Sequence, residues 1–155
     1  MLSSGFTLPA HAEEPPPPLL GALLRIPWEY MRARMLEGLH ERGFTELIPA
    51  HLNVLQYPGP DGVRPSELAA RTRMTRQAIH YLLRQLEELG HLTREDDPTQ
   101  PHAKRIRLTA RGREVEQAIR EIVSQVEQEW EHALGPGQVQ QLRDILRGLR
   151  STIEQ

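Results

Sequence analysis

Residues Pro65–Gly90 read PSELAARTRMTRQAIHYLLRQLEELG, and their pattern decides the fold. Pro65 suits the first position of a helix, with Ser66 and Glu67 in the first turn and Leu68, Ala69 and Ala70 behind. The pattern predicts a stop near Thr72, a turn at Arg73-Met74-Thr75, and a second helix that Thr75 caps. Over Arg76–Leu89 the residues Ile79, Leu82, Leu83, Leu86 and Leu89 fall on one helical stripe, and Gly90 ends it. Two short helices joined by so tight a turn satisfy helix-turn-helix geometry.

Downstream, two strand candidates, His91–Glu95 and Lys104–Leu108, flank a loop through Asp96-Asp97-Pro98-Thr99-Gln100-Pro101, which makes the unit winged. Upstream, Leu20, Leu24, Trp28, Met31, Met35 and Leu39 recur at helical spacing and predict a helix over about 19–42, with Pro27 imposing a kink or a break near Arg25. A short helix should start at Pro49 and end before Tyr57, and the Pro58–Gly62 run reads as a loop. Thr109 can cap a long helix over Ala110–Leu134 with the stripe Val115, Ile119, Ile122, Val126, Trp130 and Ala133. After Gly135-Pro136-Gly137, Val139, Leu142, Leu146, Leu149 and Ile153 form a heptad-like seam. The fold class is mainly α with a small β-hairpin wing. Residues 1–18, with Pro15–Pro18, read as a disordered tail or an arm that packs on a partner. Residues 49–109 read as the winged helix-turn-helix, and 19–48 with 110–155 as a helical region.

Composition narrows the function. The chain has no cysteine, which excludes disulfides, thiolate zinc sites and thiol redox sensing. Its histidines, His11, His40, His51, His80, His91, His102 and His132, form no pair at i, i+3 or i, i+4, so no metal and no cofactor is expected. No glycine-rich phosphate loop and no nucleophile motif is present, so no enzyme is expected. No apolar run is long enough to span a membrane, and a cytoplasmic location is expected. The net charge of −2 conceals an uneven distribution. Residues 64–113 hold 11 Lys/Arg against 6 Asp/Glu, while the rest of the chain is acidic, which is the pattern of a local anion-binding surface.

The outward face of the second helix supplies the chemistry for double-stranded DNA. Gln77 can pair with adenine and Arg84 with guanine through two bonds each, Ala78 can pack on a thymine methyl, and His80 and Tyr81 flank them. Arg64, Ser66, Thr75 and Arg76 are placed to hold phosphates near helix N-termini. His102, Lys104 and Arg105 lie at or near the wing tip, where backbone or minor-groove contact is expected. Asp96-Asp97 should shape the loop, because carboxylates repel phosphate.

The runs Glu67-Leu68-Ala69-Ala70-Arg71, Met74-Thr75-Arg76-Gln77-Ala78 and Leu86-Glu87-Glu88-Leu89-Gly90 resemble the MarR family of bacterial regulators. So do Asp97-Pro98 and Ala103-Lys104-Arg105-Ile106-Arg107-Leu108-Thr109-Ala110-Arg111-Gly112. The resemblance covers about Leu19 to Ile153. It implies a homodimeric transcriptional regulator on a near-palindromic operator, acting by repression or activation, with a repressor released by a small, often phenolic, effector as the leading form. Dimer packing would use Leu20, Leu24, Val126, Trp130, Leu142, Leu146, Leu149 and Ile153. Trp28, Met31, Met35, His51 and Tyr57 either line the effector pocket or pack in the core or dimer. The chain departs from the family at Gln100, Pro101 and His102, where an aspartate and a wing arginine are usual, which puts the brace that stiffens the wing in question. The competing readings are a winged-helix protein-interaction module without DNA binding and a metal-responsive regulator of the same fold.

Overall fold

A computed structural model describes residues 16–56 and 61–154. Six helices and one hairpin follow in the order α1 (Leu20–Glu41), α2 (Pro49–Leu55), α3 (Pro65–Thr72), α4 (Arg76–Glu88), β1 (Leu92–Asp96), β2 (Lys104–Leu108), α5 (Ala110–Leu134) and α6 (Gln138–Ile153). The bulk of the proline-rich tail and Tyr57 lie outside the described residues. No helix among the described residues is long and apolar enough to cross a membrane.

Threonine caps set two of the starts. Thr75 Oγ1 accepts from Ala78 N at 3.1 Å and Thr109 Oγ1 from Gly112 N at 3.1 Å, each satisfying a donor that the first helical turn leaves free. Two boundaries differ slightly from expectation. α4 ends at Glu88 with Leu89 as its cap, and β1 starts at Leu92, because His91 N bonds back to Leu86 O at 2.9 Å. Pro27 does not break α1, which runs on to Glu41. Pro27 lies near the exposed start of the helix, while the later turns pack on α5 through Met35 and Leu39 and hold it.

The core gathers Met35 and Leu39 of α1, Leu52 of α2, Leu68 of α3, Ile79, Leu83 and Leu86 of α4, Ile106 of β2, and Val115 and Ile122 of α5. Each fully buried Leu or Ile contributes about 1.5–3 kcal/mol of transfer free energy. Val126, expected at a dimer seam, is fully buried inside the protomer, because its stripe on α5 turns inward. Trp130, next on that stripe, is half-buried and tilts on Tyr30 at 6.3 Å between ring centroids. Arg34 fixes α1 to α5 by two bonds to Glu129, at 2.7 and 2.9 Å.

The hairpin is antiparallel, with Leu92 opposite Leu108 and Asp96 opposite Lys104. The chain before α3 covers its outer edge: Gly62 N donates to Ile106 O and Ile106 N to Val63 O, at 2.5 and 2.9 Å. At the other end of the wing, His91 is fully buried, and its Nε2 donates to Glu46 Oε1 at 2.9 Å. Arg111 Nη2 reaches the same oxygen at 2.5 Å. One carboxylate therefore joins the α1–α2 loop, the α4–β1 junction and the first turn of α5. Burial pushes the His91 imidazole below its ordinary value of 6.5, with Glu46 opposing and Arg111 assisting.

Gly112 packs against that junction so closely that a Cβ would lie 1.9 Å from His91 O. Gly112→Ala is expected to destabilise the protein by about 3 kcal/mol or more, since a backbone carbonyl cannot yield as a side chain can, and a denaturant midpoint measures it. The depressed imidazole gives a second expectation. Stability tied to neutral His91 is fully present above the unfolded value near 6.5 and is lost as pH falls below it. The melting temperature should drop between pH 7.5 and 5.5, and drop less in His91→Gln.

Candidate nucleic-acid interface

α4 is divided lengthwise. Ile79, Leu82, Leu83 and Leu86 are buried, while Arg76, Gln77, His80, Tyr81 and Arg84 are exposed and Ala78 is half-buried at the border. The five side chains expected to read bases, Gln77, Ala78, His80, Tyr81 and Arg84, line one concave surface together with Thr75. Sequence reading missed one member of that surface, Arg94 of β1. Its Nε bonds to Glu87 Oε2 at 3.2 Å, and its Nη1 lies 3.5 Å from His80 Nδ1. The pleat turns Arg94 toward α4, and only the alternation of β1 could have hinted at it.

The residues expected on phosphate separate into two groups. Ser66, Thr75, Arg76 and Lys104 are exposed and can meet a duplex directly. Lys104 Nζ is paired with Asp96 Oδ1 at 2.5 Å, and both side chains are open to solvent. Arg64 and Arg105 turn inward instead, onto the carboxylate of Asp97, whose side chain is fully buried. Arg64 Nε donates to Oδ2 at 2.6 Å, and Arg105 Nε lies 3.1 Å from Oδ1. Thr99 closes the ring: its N and Oγ1 reach Asp97 Oδ1 at 2.8 and 2.7 Å. The Thr99 hydroxyl, then the Arg64 guanidinium, hold the Asp97 carboxyl well below the usual carboxylate range, against the opposing effect of burial.

This ring corrects the expectation of an unbraced wing. The loop lacks an aspartate at position 100, but Asp97 takes up the brace through partners 33 residues upstream and 8 residues downstream. His102 sits exposed at the loop tip with a left-handed backbone, φ 64°. That conformation disfavours a bulky side chain and marks the tightest point of the turn.

The described residues expected around an effector sit in different surroundings. Met35 and His51 are buried among core side chains, Met31 is half-buried against them, and Trp28 is exposed on α1. A cavity of about 380 Å³ does open elsewhere, between Leu24 of α1, Arg71–Arg73 at the end of α3, Leu146, Leu149, Arg150 and Ile153 of α6, and Glu154. No group of three or more His, Asp or Glu suited to a metal ion is found among the described residues.

Comparison with known proteins follows the same lines. A MarR family model matches residues 47–100, from the start of α2 through the wing loop. A MarR family transcriptional regulator from Rhodococcus sp. RHA1 is 24% identical, over 84% of this chain and 91% of its own, with a TM-score of 0.67. A MarR family protein of Mycobacterium tuberculosis, solved with salicylic acid, is 25% identical over 90% and 99% of the two chains, with a TM-score of 0.61. A variant of MepR from S. aureus, solved with an oligodeoxyribonucleotide, is 22% identical over 87% and 98%, with a TM-score of 0.55. No curated protein matches the chain in sequence.

The Asp97 ring separates positioning from charge. Asp97→Asn raises the net charge of the interface by one, which by electrostatics alone should tighten DNA binding. Loss of the brace should prevail, with affinity for duplex DNA falling roughly tenfold, on the scale of a charge-assisted hydrogen bond. A gain in affinity by fluorescence anisotropy would show that the wing angle does not matter.

Proposed function

We propose that the chain is a DNA-binding transcriptional regulator of the MarR type, working as a homodimeric repressor that a small effector releases. The observation that carries the DNA reading is the divided α4, with its polar face open beside a braced wing. Gln77 and Arg84 offer two-bond pairing to adenine and guanine, and His80, Tyr81 and Ala78 complete the base-reading set. Ser66, Thr75, Arg76 and Lys104 hold phosphates, with His102 at the wing tip. Arg64 and Arg105 serve by fixing the wing and have few donors left for phosphate.

The dimer reading is supported by what the protomer leaves uncovered. α6 buries none of its residues, and Leu142, Leu146, Leu149 and Ile153 are each more than a third exposed. Leu20 and Leu24 at the start of α1 are likewise open. Apolar surface of this extent calls for a partner, and a second copy supplies one with matching α1 and α6. Two recognition helices would then meet successive major grooves about 34 Å apart on a near-palindrome.

For the effector, the candidate is the cavity between α1, the end of α3 and α6, which shares Leu24, Leu146, Leu149 and Ile153 with the face assigned to the second copy. Its apolar walls and its arginines, Arg71, Arg73 and Arg150, set against the one acid Glu154 that Arg150 engages at 2.8 Å, suit a small aromatic acid, and its volume of about 380 Å³ is within the range of ligand sites. It touches both the helix-turn-helix and the helices expected in the dimer, so an occupant could bias one against the other. The salicylic acid bound by the M. tuberculosis relative is of that chemical class.

Arg84→Ala should relax base preference at one position, worth about 1–3 kcal/mol of discrimination. Lys104→Ala should weaken all duplexes alike and lower the salt slope by about one. An unchanged slope would show that Lys104 stays with Asp96. A wild-type protein with no salt-dependent binding to random DNA would favour the protein-interaction reading. Leu149→Glu should shift sedimentation from dimer to monomer and weaken operator binding with it.

A further inference from the structure

Behind the reading face a run of polar groups passes from the core side of α4 to the groove side. Its buried end is the backbone N–H of Ile48, which donates to His51 Nδ1 at 3.3 Å. His51 is 2% exposed. Its Nε2 lies 3.3 Å from Gln85 Oε1, and Gln85 Nε2 lies 3.1 Å from the Tyr81 hydroxyl. Tyr81 is 53% exposed and lines the concave surface beside Gln77, His80 and Arg84.

The sense of every bond in this run follows from its buried end. A backbone N–H can only donate, so His51 Nδ1 must accept, and the proton of the neutral ring is on Nε2. Burial holds the ring neutral by lowering its pKa, with His91 acting in the same direction and with the Gln85 bond and the Glu46 carboxylate opposing. Nε2–H therefore donates to the amide oxygen of Gln85, which turns the amide NH2 toward Tyr81. The phenol oxygen accepts from that NH2, and the phenol proton remains free to point outward. Gln85 stands four residues after Tyr81, so the two side chains are neighbours on the helix surface, and α2 brings His51 to meet them.

We propose that His51 and Gln85 are positioning residues for DNA reading, which together present the Tyr81 hydroxyl to the duplex as a hydrogen-bond donor. Its target is an acceptor: guanine O6 or N7, adenine N7, thymine O4, or a phosphate oxygen. The proposal rests on the DNA-binding reading above. It gives the buried His51 a part in recognition through another residue, in place of contact with an effector. It also orders a side chain that would otherwise rotate freely at the surface.

The test is a double-mutant cycle in the full-length protein with Gln85→Leu and Tyr81→Phe. One probe is a duplex enriched from a random pool by the wild-type protein, and the other is a random duplex of equal length. Each single change should weaken the enriched duplex about fivefold, the value of one hydrogen bond. Gln85→Leu should then cost nothing further in the Tyr81→Phe background. Loss confined to the enriched duplex assigns the acceptor to a base, and equal loss on both assigns it to phosphate. Additive losses, or unchanged binding by Gln85→Leu, overturn the proposal alone. Wild-type protein that binds neither duplex overturns the DNA-binding reading and the proposal with it. Nitrogen-15 spectra of the free protein give an independent readout. His51 should be the Nε2–H tautomer in wild type and, because the Ile48 N–H bond remains, in Gln85→Leu as well, and an Nδ1–H ring in wild type breaks the run at its first bond.

Discussion

The apolar stripe of α4 is the constraint on which the remaining architecture depends. Ile79, Leu83 and Leu86 are fully buried in the apolar cluster that α1, α2, α3, α5 and both strands of the wing share, and α4 packs on α2, α3 and β1. A single helix thus serves as the centre of the core along one side and as the presented surface along the other. The rotation of α4 about its axis is fixed by the inward side chains, because turning it would expose leucines that each contribute about 1.5–3 kcal/mol. The outward side chains inherit that precision. Gln77, His80, Tyr81 and Arg84 need no contacts of their own to be aimed correctly along the helix; they need only to be out of phase with the stripe.

The tip of the wing cannot be positioned in this way, because residues 98–103 bury no side chain. Electrostatics replaces packing there. Asp97 is an anion sealed under Arg64, Arg105 and Thr99, with both carboxylate oxygens occupied. A buried charge is tolerated only when so fully paired, and breaking one partner leaves the others exposed to the cost of desolvation. The arrangement spends two of the most basic side chains near the duplex on structure. It accounts for a wing that lacks the usual aspartate at position 100 and still has a defined angle to the helix-turn-helix.

Much of this was legible in the sequence. The bounds of α3, β2 and α5 follow from Pro65, from the alternation at Arg105-Ile106-Arg107-Leu108 and from the Thr109 cap, all of which act within a few residues. The base-reading face of α4 was legible for the same reason: a helical period shows which residues lie opposite a leucine stripe. What the period cannot show is which surface covers a given face. Val126 shares its stripe with Trp130, yet one is sealed against the protomer core and the other is half open. Asp97 pairs with Arg64 across 33 residues, and His51 meets Gln85 across 34, separations at which no local rule operates. Arg94 meets His80 across 14 residues, through the packing of β1 on α4, which no local pattern announces.

The two lobes therefore meet the duplex by different physical means, and this bears on how an effector could act. Packing around α4 is dense and short-ranged, so a small molecule would have to disrupt a core to reorient that helix within its own domain. The connection to α5 is different in kind. It passes through Glu46, which holds His91 and Arg111 at one oxygen, and through Gly112, which lets α5 start directly against His91. A rotation at that junction would carry α4 with it, and the apolar cluster that α1 and α5 share with α4 would have to shift as well. In a dimer such a swing changes the distance between the two α4 helices, and the duplex tolerates only one distance, that of a helical turn. In the proposed dimer, a change at the junction would move both reading faces relative to the duplex, even though every residue of each remains in place.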